Sequence, residues 1–193
     1  MRHVCVFCGS SPGARSDYTH AAQVMGAALA DRDLSLIYGG GHTGLMGVLA
    51  DAVLTAGGHV TGVIPQALLD KEVAHQHLSA LIVTRSMHER KEKMADLADA
   101  FIALPGGFGT YDEFCEIVTW AQLGIHGKPI GLLNVSGFYD GLIAFFDHAV
   151  DEQFIRPQHR AMLQISADPL QLLDLLAAYQ PVSTTKWVEG AER

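Results

Sequence analysis

The stretch Ala100-Phe101-Ile102-Ala103-Leu104-Pro105-Gly106-Gly107-Phe108-Gly109-Thr110-Tyr111-Asp112-Glu113 runs from five apolar residues into a glycine-rich turn, and then into the apolar-faced segment Phe114-Cys115-Glu116-Ile117-Val118-Thr119-Trp120. The first part reads as a buried strand and the last as a helix packed by one face. A turn of this kind leaves the first backbone N–H groups of the helix without intrahelical acceptors. The helix dipole then makes that end a favourable place for an anion such as phosphate. Glu113 falls in the first helical turn, beside whatever the loop holds. Thr110 and Glu113 also match the capping box Thr-x-x-Glu, in which the carboxylate merely bonds back to the Thr110 N–H. A cap does not need Gly106, Gly107 and Gly109 together, so the loop is expected to bind an anion, and both roles for Glu113 stay open.

The same alternation extends in both directions. Strands are expected at 4–7, 34–38, 59–64, 78–83, 100–104 and 129–133, with a short element at 163–165. Helices are expected at 16–31 (inner face Ala21, Val24, Met25, Ala28 and Leu29), from Leu45 to a stop at Gly57-Gly58, at 87–98 (inner face Met87, Met94 and Leu97), after Thr110, and near 138–152 and 168–178. Continuous Val/Ile/Leu runs separated by helices indicate an α/β fold. The expected architecture is a single-domain, Rossmann-like, doubly wound parallel sheet with helices on both faces. One domain is expected over residues 1–180, and the polar tail 181–193 is expected to fray.

Composition removes several classes of function. A net charge of −8 lacks the basic footprint of a nucleic-acid binder. No apolar run approaches the ~18 residues of a membrane helix. The short run Val4 to Phe7 cannot form a signal-peptide core, so a cytoplasmic location is expected. Three cysteines fit a reducing compartment. Cys5 and Cys8 have C-x-x-C spacing, but on a strand positions three apart face opposite sides and cannot share a metal. His88-Glu89-Arg90-Lys91-Glu92 has glutamate where a zincin needs its second histidine. Neither a metal nor a cofactor is expected.

Ligands of doubly wound sheets bind at the carboxyl ends of strands. Three glycine-rich turns lie at such ends: the one holding Gly9 and Ser10, the one holding Gly40, Gly41 and Gly44, and the loop at 106–109. The segment Ser86-Met87-His88-Glu89-Arg90-Lys91 brings two cations to a fourth strand end, although Glu89 and Lys93 could make it an ordinary charged helix face. Together these features point to a phosphorylated small molecule. Gly39-Gly40-Gly41-His42-Thr43-Gly44 matches G-x-G-x-x-G, yet it follows the second strand and the third ends in Ile64-Pro65-Gln66 without an acidic residue, which argues against NAD. No Lys-Ser/Thr follows Gly44 as a P-loop requires, and no G-x-S-x-G elbow is present.

Ser86-Met87-His88-Glu89-Arg90-Lys91, the P-G-G-x-G-T-x-x-E run at 105–113, and Tyr38-Gly39-Gly40-Gly41 with Gly44-Leu45-Met46-Gly47 resemble the LOG family, the cytokinin riboside 5′-monophosphate phosphoribohydrolases often mislabelled lysine decarboxylases. Trp120-Ala121-Gln122-Leu123-Gly124-Ile125-His126 and Gly131-Leu132-Leu133-Asn134 continue the match, which spans about 4–157. No lysine stands in a pyridoxal-phosphate context. The resemblance implies hydrolysis of a nucleoside 5′-monophosphate to free base and ribose 5-phosphate. It implies Arg90 and Glu113 as the catalytic pair. Substrate contacts fall on Lys91, Gly106, Gly107, Phe108, Gly109, Thr110, Tyr111, Asp112 and Thr119, and on Glu72 in a more divergent stretch. Asp112 stands where plant members commonly carry Glu.

The residues suit that chemistry. Cleaving a ribosyl–base bond builds positive charge on the sugar, which an ionised Glu113 would stabilise. It could equally orient or deprotonate the attacking water. Arg90 could hold Glu113 through a two-pronged bond, keep it ionised, or contact phosphate. A non-catalytic nucleotide-binding module on the same scaffold is the alternative, and the preferred base stays open. High apolar content, the apolar helix after Thr110 and the resemblance together lead to an expected homodimer using helices 87–98 and 110–123.

Overall fold

The computed structural model describes residues 1–71 and 74–181. Glu72 and, apart from Pro181, the expected tail lie outside the described residues. Seven strands form one parallel sheet: β1 (His3–Phe7), β2 (Ser35–Tyr38), β3 (Val60–Pro65), β4 (Ala80–Thr84), β5 (Ala100–Ala103), β6 (Ile130–Leu133) and β7 (Leu163–Ser166), in the order β4-β3-β2-β1-β5-β6-β7. The chain winds outward from β1 through β4, then crosses back to place β5 against β1. The loops after β1 and β5 therefore diverge from adjacent strand ends, which is the topological switch point at which such sheets bind ligands.

Alternation along the strands divides the core. Val4, Val6, Leu36, Tyr38, Ile102 and Leu104 face α1 (Ser16–Asp31), α2 (Gly44–Thr55) and α8 (Pro169–Ala178). Cys5, Phe7, Ile37, Phe101 and Ala103 face the opposite layer, which contains α4 (Met87–Leu97), α5 (Phe108–Gln122) and α6 (Asp140–Asp151). Cys5 and Cys8 fall in opposite layers. Because both faces are covered, β1, β5 and β6 are buried almost throughout, which is why they read as unbroken apolar runs.

Three local expectations need correction. β4 was expected over 78–83 as another buried run, but it is an edge strand with Leu81 and Val83 exposed. Met87 was expected on the inner face of its helix; it is exposed, because the first turn of α4 overhangs the strand ends instead of lying on the sheet. Two one-turn helices, α3 (Gln66–Leu69) and α7 (Pro157–Arg160), were not anticipated, since four residues are too few to show periodicity.

Candidate active site

The carboxyl ends of β1, β2 and β3 and the first turns of α4 and α5 enclose an open cleft of about 430 Å³. Arg90 and Glu113 line it, 7% and 8% exposed. Each reaches it because its helix starts at a strand end. At α4 the Ser86 hydroxyl accepts the Glu89 N–H (3.1 Å), while the Glu89 carboxylate accepts the Arg85 N–H (2.9 Å) and its Nε–H (3.0 Å). Glu89 is thus engaged with Arg85 at the helix start, and not with Lys93. This cap sets where α4 begins and so directs Arg90 inward.

The Arg90 guanidinium is held from two directions. Its Nε–H donates to the Val63 carbonyl (3.0 Å) and its Nη1 to Glu113 Oε1 (2.7 Å). The ion pair is therefore single-pointed, because the guanidinium divides its donors between the end of β3 and α5. Gly39 packs so closely on this group that a Cβ there would run into Nη2. Burial pushes the Glu113 carboxyl above its ordinary range, while the charge and hydrogen bond of Arg90 oppose the rise. A carboxylate raised in this way is better matched to proton transfer near neutral pH. Cys8, also in the cleft wall, is pushed well above the usual thiol range by burial and then by Glu113, so it remains a thiol.

The α5 terminus forms the lip. Gly107 is the N-cap and supplies no side-chain cap. Tyr111 N–H donates to the Gly107 carbonyl (3.1 Å), so the N–H groups of Phe108, Gly109 and Thr110 precede the first intrahelical bond. Because the helix already begins at Phe108, Thr110 lies inside it, with its buried side chain against Gly106. The capping-box alternative is not formed, since the Glu113 carboxylate meets Arg90 instead. The Tyr139 hydroxyl donates to the Leu104 carbonyl (2.6 Å), which fixes the base of the turn.

The other sequence-derived candidates divide into those that line the cleft and those that shape it. Gly9, Ser10, Gly41, Gly107, Phe108, Gly109, Thr110 and Asp112 line it. Gly9 is structurally committed, giving its N–H to the Pro105 carbonyl (3.0 Å) and accepting from Leu45 N–H (3.0 Å). Gly44, at φ +59°, lets α2 start against the Ser10 backbone, where a side chain would collide. Tyr111 packs edge-on against Tyr139 and Phe108. Lys91 does not line the cleft itself but joins Asp112, at its edge, and Glu116 (both 3.1 Å). Burial works against its charge, but the two carboxylates outweigh it and hold the ammonium above its ordinary range. Thr119 is exposed on the outer side of α5, its hydroxyl donating to the Cys115 carbonyl (2.7 Å). Glu72 lies outside the described residues.

Sequence reasoning missed the apolar wall of Met46, Ile64, Leu68 and Met87. Ile64 and Met87 stand at a strand end and a helix start, so the strand-end rule that located the glycine loops could have found them. Among the described residues no group of three or more His, Cys, Asp and Glu side chains is placed to hold a metal ion, and no described helix is long and apolar enough to cross a membrane.

Fold and site together define a Rossmann-like α/β protein with a glycine-lipped cleft beside a buried arginine–glutamate pair. The family model described as "possible lysine decarboxylase" matches residues 46–176. A cytokinin riboside 5′-monophosphate phosphoribohydrolase of Arabidopsis thaliana is 50% identical over 95% of this chain and 80% of its own length. A protein of Oryza sativa subsp. japonica named as a probable enzyme of the same kind is 52% identical over 94% and 80%. The chain belongs to this family, the LOG-type phosphoribohydrolases. Among the described residues, the cleft lining contains no lysine to form a Schiff base. The fold is shared with a molybdenum cofactor binding protein of Rippkaea orientalis (TM-score 0.71, 20% identity, 92% of this chain and 96% of that one). It is shared too with the molybdenum cofactor carrier protein of Chlamydomonas reinhardtii (TM-score 0.67, 18% identity, 92% and 99%).

Proposed function

We propose that this protein hydrolyses the N-glycosidic bond of a nucleoside 5′-monophosphate, a cytokinin riboside monophosphate or AMP, to the free base and ribose 5-phosphate. The observation that carries this reading is the buried Arg90–Glu113 pair, joined at 2.7 Å in a cleft whose lip presents the unpaired N–H groups of α5. The 5′-phosphate binds that lip, where the N–H groups and helix dipole favour an anion. The base lies against Met46, Ile64, Leu68 and Met87. As the glycosidic bond breaks, positive charge grows on the sugar and the Glu113 carboxylate stabilises it. Water adds to C1′, its proton passing to Glu113, and the departing base takes up a proton, so that one water is consumed for each base released. Arg90 holds Glu113 in place and favours its ionised form.

The catalytic unit is one domain over 1–180, cytoplasmic, and a homodimer. Support for assembly comes from Thr119. The family resemblance makes it a substrate contact, yet it is exposed outside its own cleft, so it meets substrate only if it borders the cleft of a second copy. Leu123 and Ile125, exposed at the end of α5 and just beyond it, extend the same surface. Incubation with AMP and N6-isopentenyl-AMP should release base and ribose 5-phosphate in equal amounts, with adenosine a far poorer substrate. Nucleotide binding without base release would favour a non-catalytic binding module. Light scattering at micromolar concentration should give twice the chain mass, and a fully active monomer would overturn the assembly.

A further inference from the structure

Outside the Arg90–Glu113 centre, His75 is a buried histidine, 8% exposed, with both ring nitrogens engaged. Its ring Nε2 lies 2.9 Å from Asp51 Oδ1 of α2, and its Nδ1 accepts the His77 N–H at 3.1 Å. Because Nδ1 is an acceptor, the ring proton resides on Nε2 and is donated to Asp51. The His75 main-chain N–H donates to the Gly40 carbonyl (2.9 Å), and Ala74 makes an antiparallel bridge with Gly41. Residues 74–77 are thereby strapped across the 39–43 loop and anchored to α2.

That loop is part of the site. Gly41 and Thr43 line the cleft, and Gly39 packs directly on the Arg90 guanidinium. The loop carries two adjacent glycines before Gly41, and Gly40 adopts φ +76°, so its own backbone imposes little stiffness. Rigidity has to come from what is bonded to it, and His75 supplies both the direct bond and the anchor.

We propose that His75 is a positioning residue for hydrolysis: with Asp51 it holds the 39–43 loop against Arg90 and so keeps Arg90 and Glu113 in their reactive geometry. The proposal rests on the phosphoribohydrolase reading of the cleft. It assigns no contact between His75 and substrate.

The test compares His75→Ala, His75→Gln and Asp51→Ala with wild type in base release from AMP, affinity for inorganic phosphate, melting temperature, and amide hydrogen exchange over 39–43. Removing the ring should lower kcat about tenfold or more. Phosphate affinity should stay within about threefold, since the α5 lip is separate from this loop. Exchange over 39–43 should accelerate. Gln can present an N–H to Asp51 and should recover most of the lost turnover. Asp51 has a 69% exposed side chain, so Asp51→Ala opens no core cavity and should reproduce the loss even if His75→Ala folds poorly. Wild-type kcat in Asp51→Ala, a His75→Gln variant as impaired as His75→Ala, or unchanged 39–43 exchange would each overturn the proposal. Absence of base release by the wild-type protein would instead overturn the functional reading, and the exchange measurement would still judge the strap.

Discussion

Replacing Glu113 by Gln removes a charge while nearly preserving shape. The amide oxygen can still accept from Arg90 Nη1, which lies 2.7 Å from Oε1, and the Arg90 bond to Val63 is untouched. Arg90 is present in both proteins, so its repulsion of a cationic sugar cancels in the comparison and the difference is the carboxylate's own attraction. At ~4.5 Å and an effective dielectric of about 20, that attraction is ~4 kcal/mol. It corresponds to about 10³ in rate. Solvent entering the open cleft weakens the field, and loss of proton acceptance adds to the effect, so a fall in kcat of at least about a hundredfold is expected. Loss of the ion pair should cost ~1–3 kcal/mol of stability, a drop of up to about 10 °C in melting temperature. The assay is initial-rate adenine release at saturating AMP, with calorimetric AMP binding to confirm an intact site. Turnover within about threefold of wild type, with binding preserved, would refute the reasoning and leave Glu113 as a counter-ion for Arg90.

Arg90→Lys should lose about tenfold or more in kcat, because one ammonium cannot span both Val63 and Glu113; wild-type turnover would show that a point charge suffices. The acid limb of kcat/KM should lie above the ordinary carboxylate range. Burial raises the Glu113 pKa, and the active ionised form is lost as pH falls through it. In Arg90→Gln that limb should move to still higher pH, since the neighbour that favours the carboxylate is gone; an unmoved limb would assign it to another group. Gly39→Ala should cut turnover about tenfold or more and lower the melting temperature, because the new methyl meets the buried guanidinium and displaces it from Glu113; full activity would mean Arg90 has room to shift.

Much of the architecture was legible in the chain because two-sided burial leaves a local signature. β1 from Val4 onward, β5 and β6 are buried and read as unbroken apolar runs, and Gly106-Gly107 could only be a turn at such a strand's end. β4 was misread because an edge position is a property of strand order, and strand order is not written in any local window. At the site, the residue types in the P-G-G-x-G-T-x-x-E run were enough to expect an anion at a helix N-terminus. They left Glu113 divided between capping and chemistry, since both uses satisfy the same spacing. Arg90, 23 positions away, removed the capping use by drawing the carboxylate to itself.

Lys91 and Thr119 show the opposite case: the resemblance makes both substrate contacts, yet neither lines the cleft of its own chain, Lys91 being held against Asp112 and Glu116 and Thr119 standing exposed on α5. By itself, then, the sequence determined the layers of the fold, the loops and the chemistry available. Only tertiary structure determined which charges meet, because a 2.7 Å contact depends on where α4 and α5 start over the sheet, and those starts are set by packing among residues far apart along the chain.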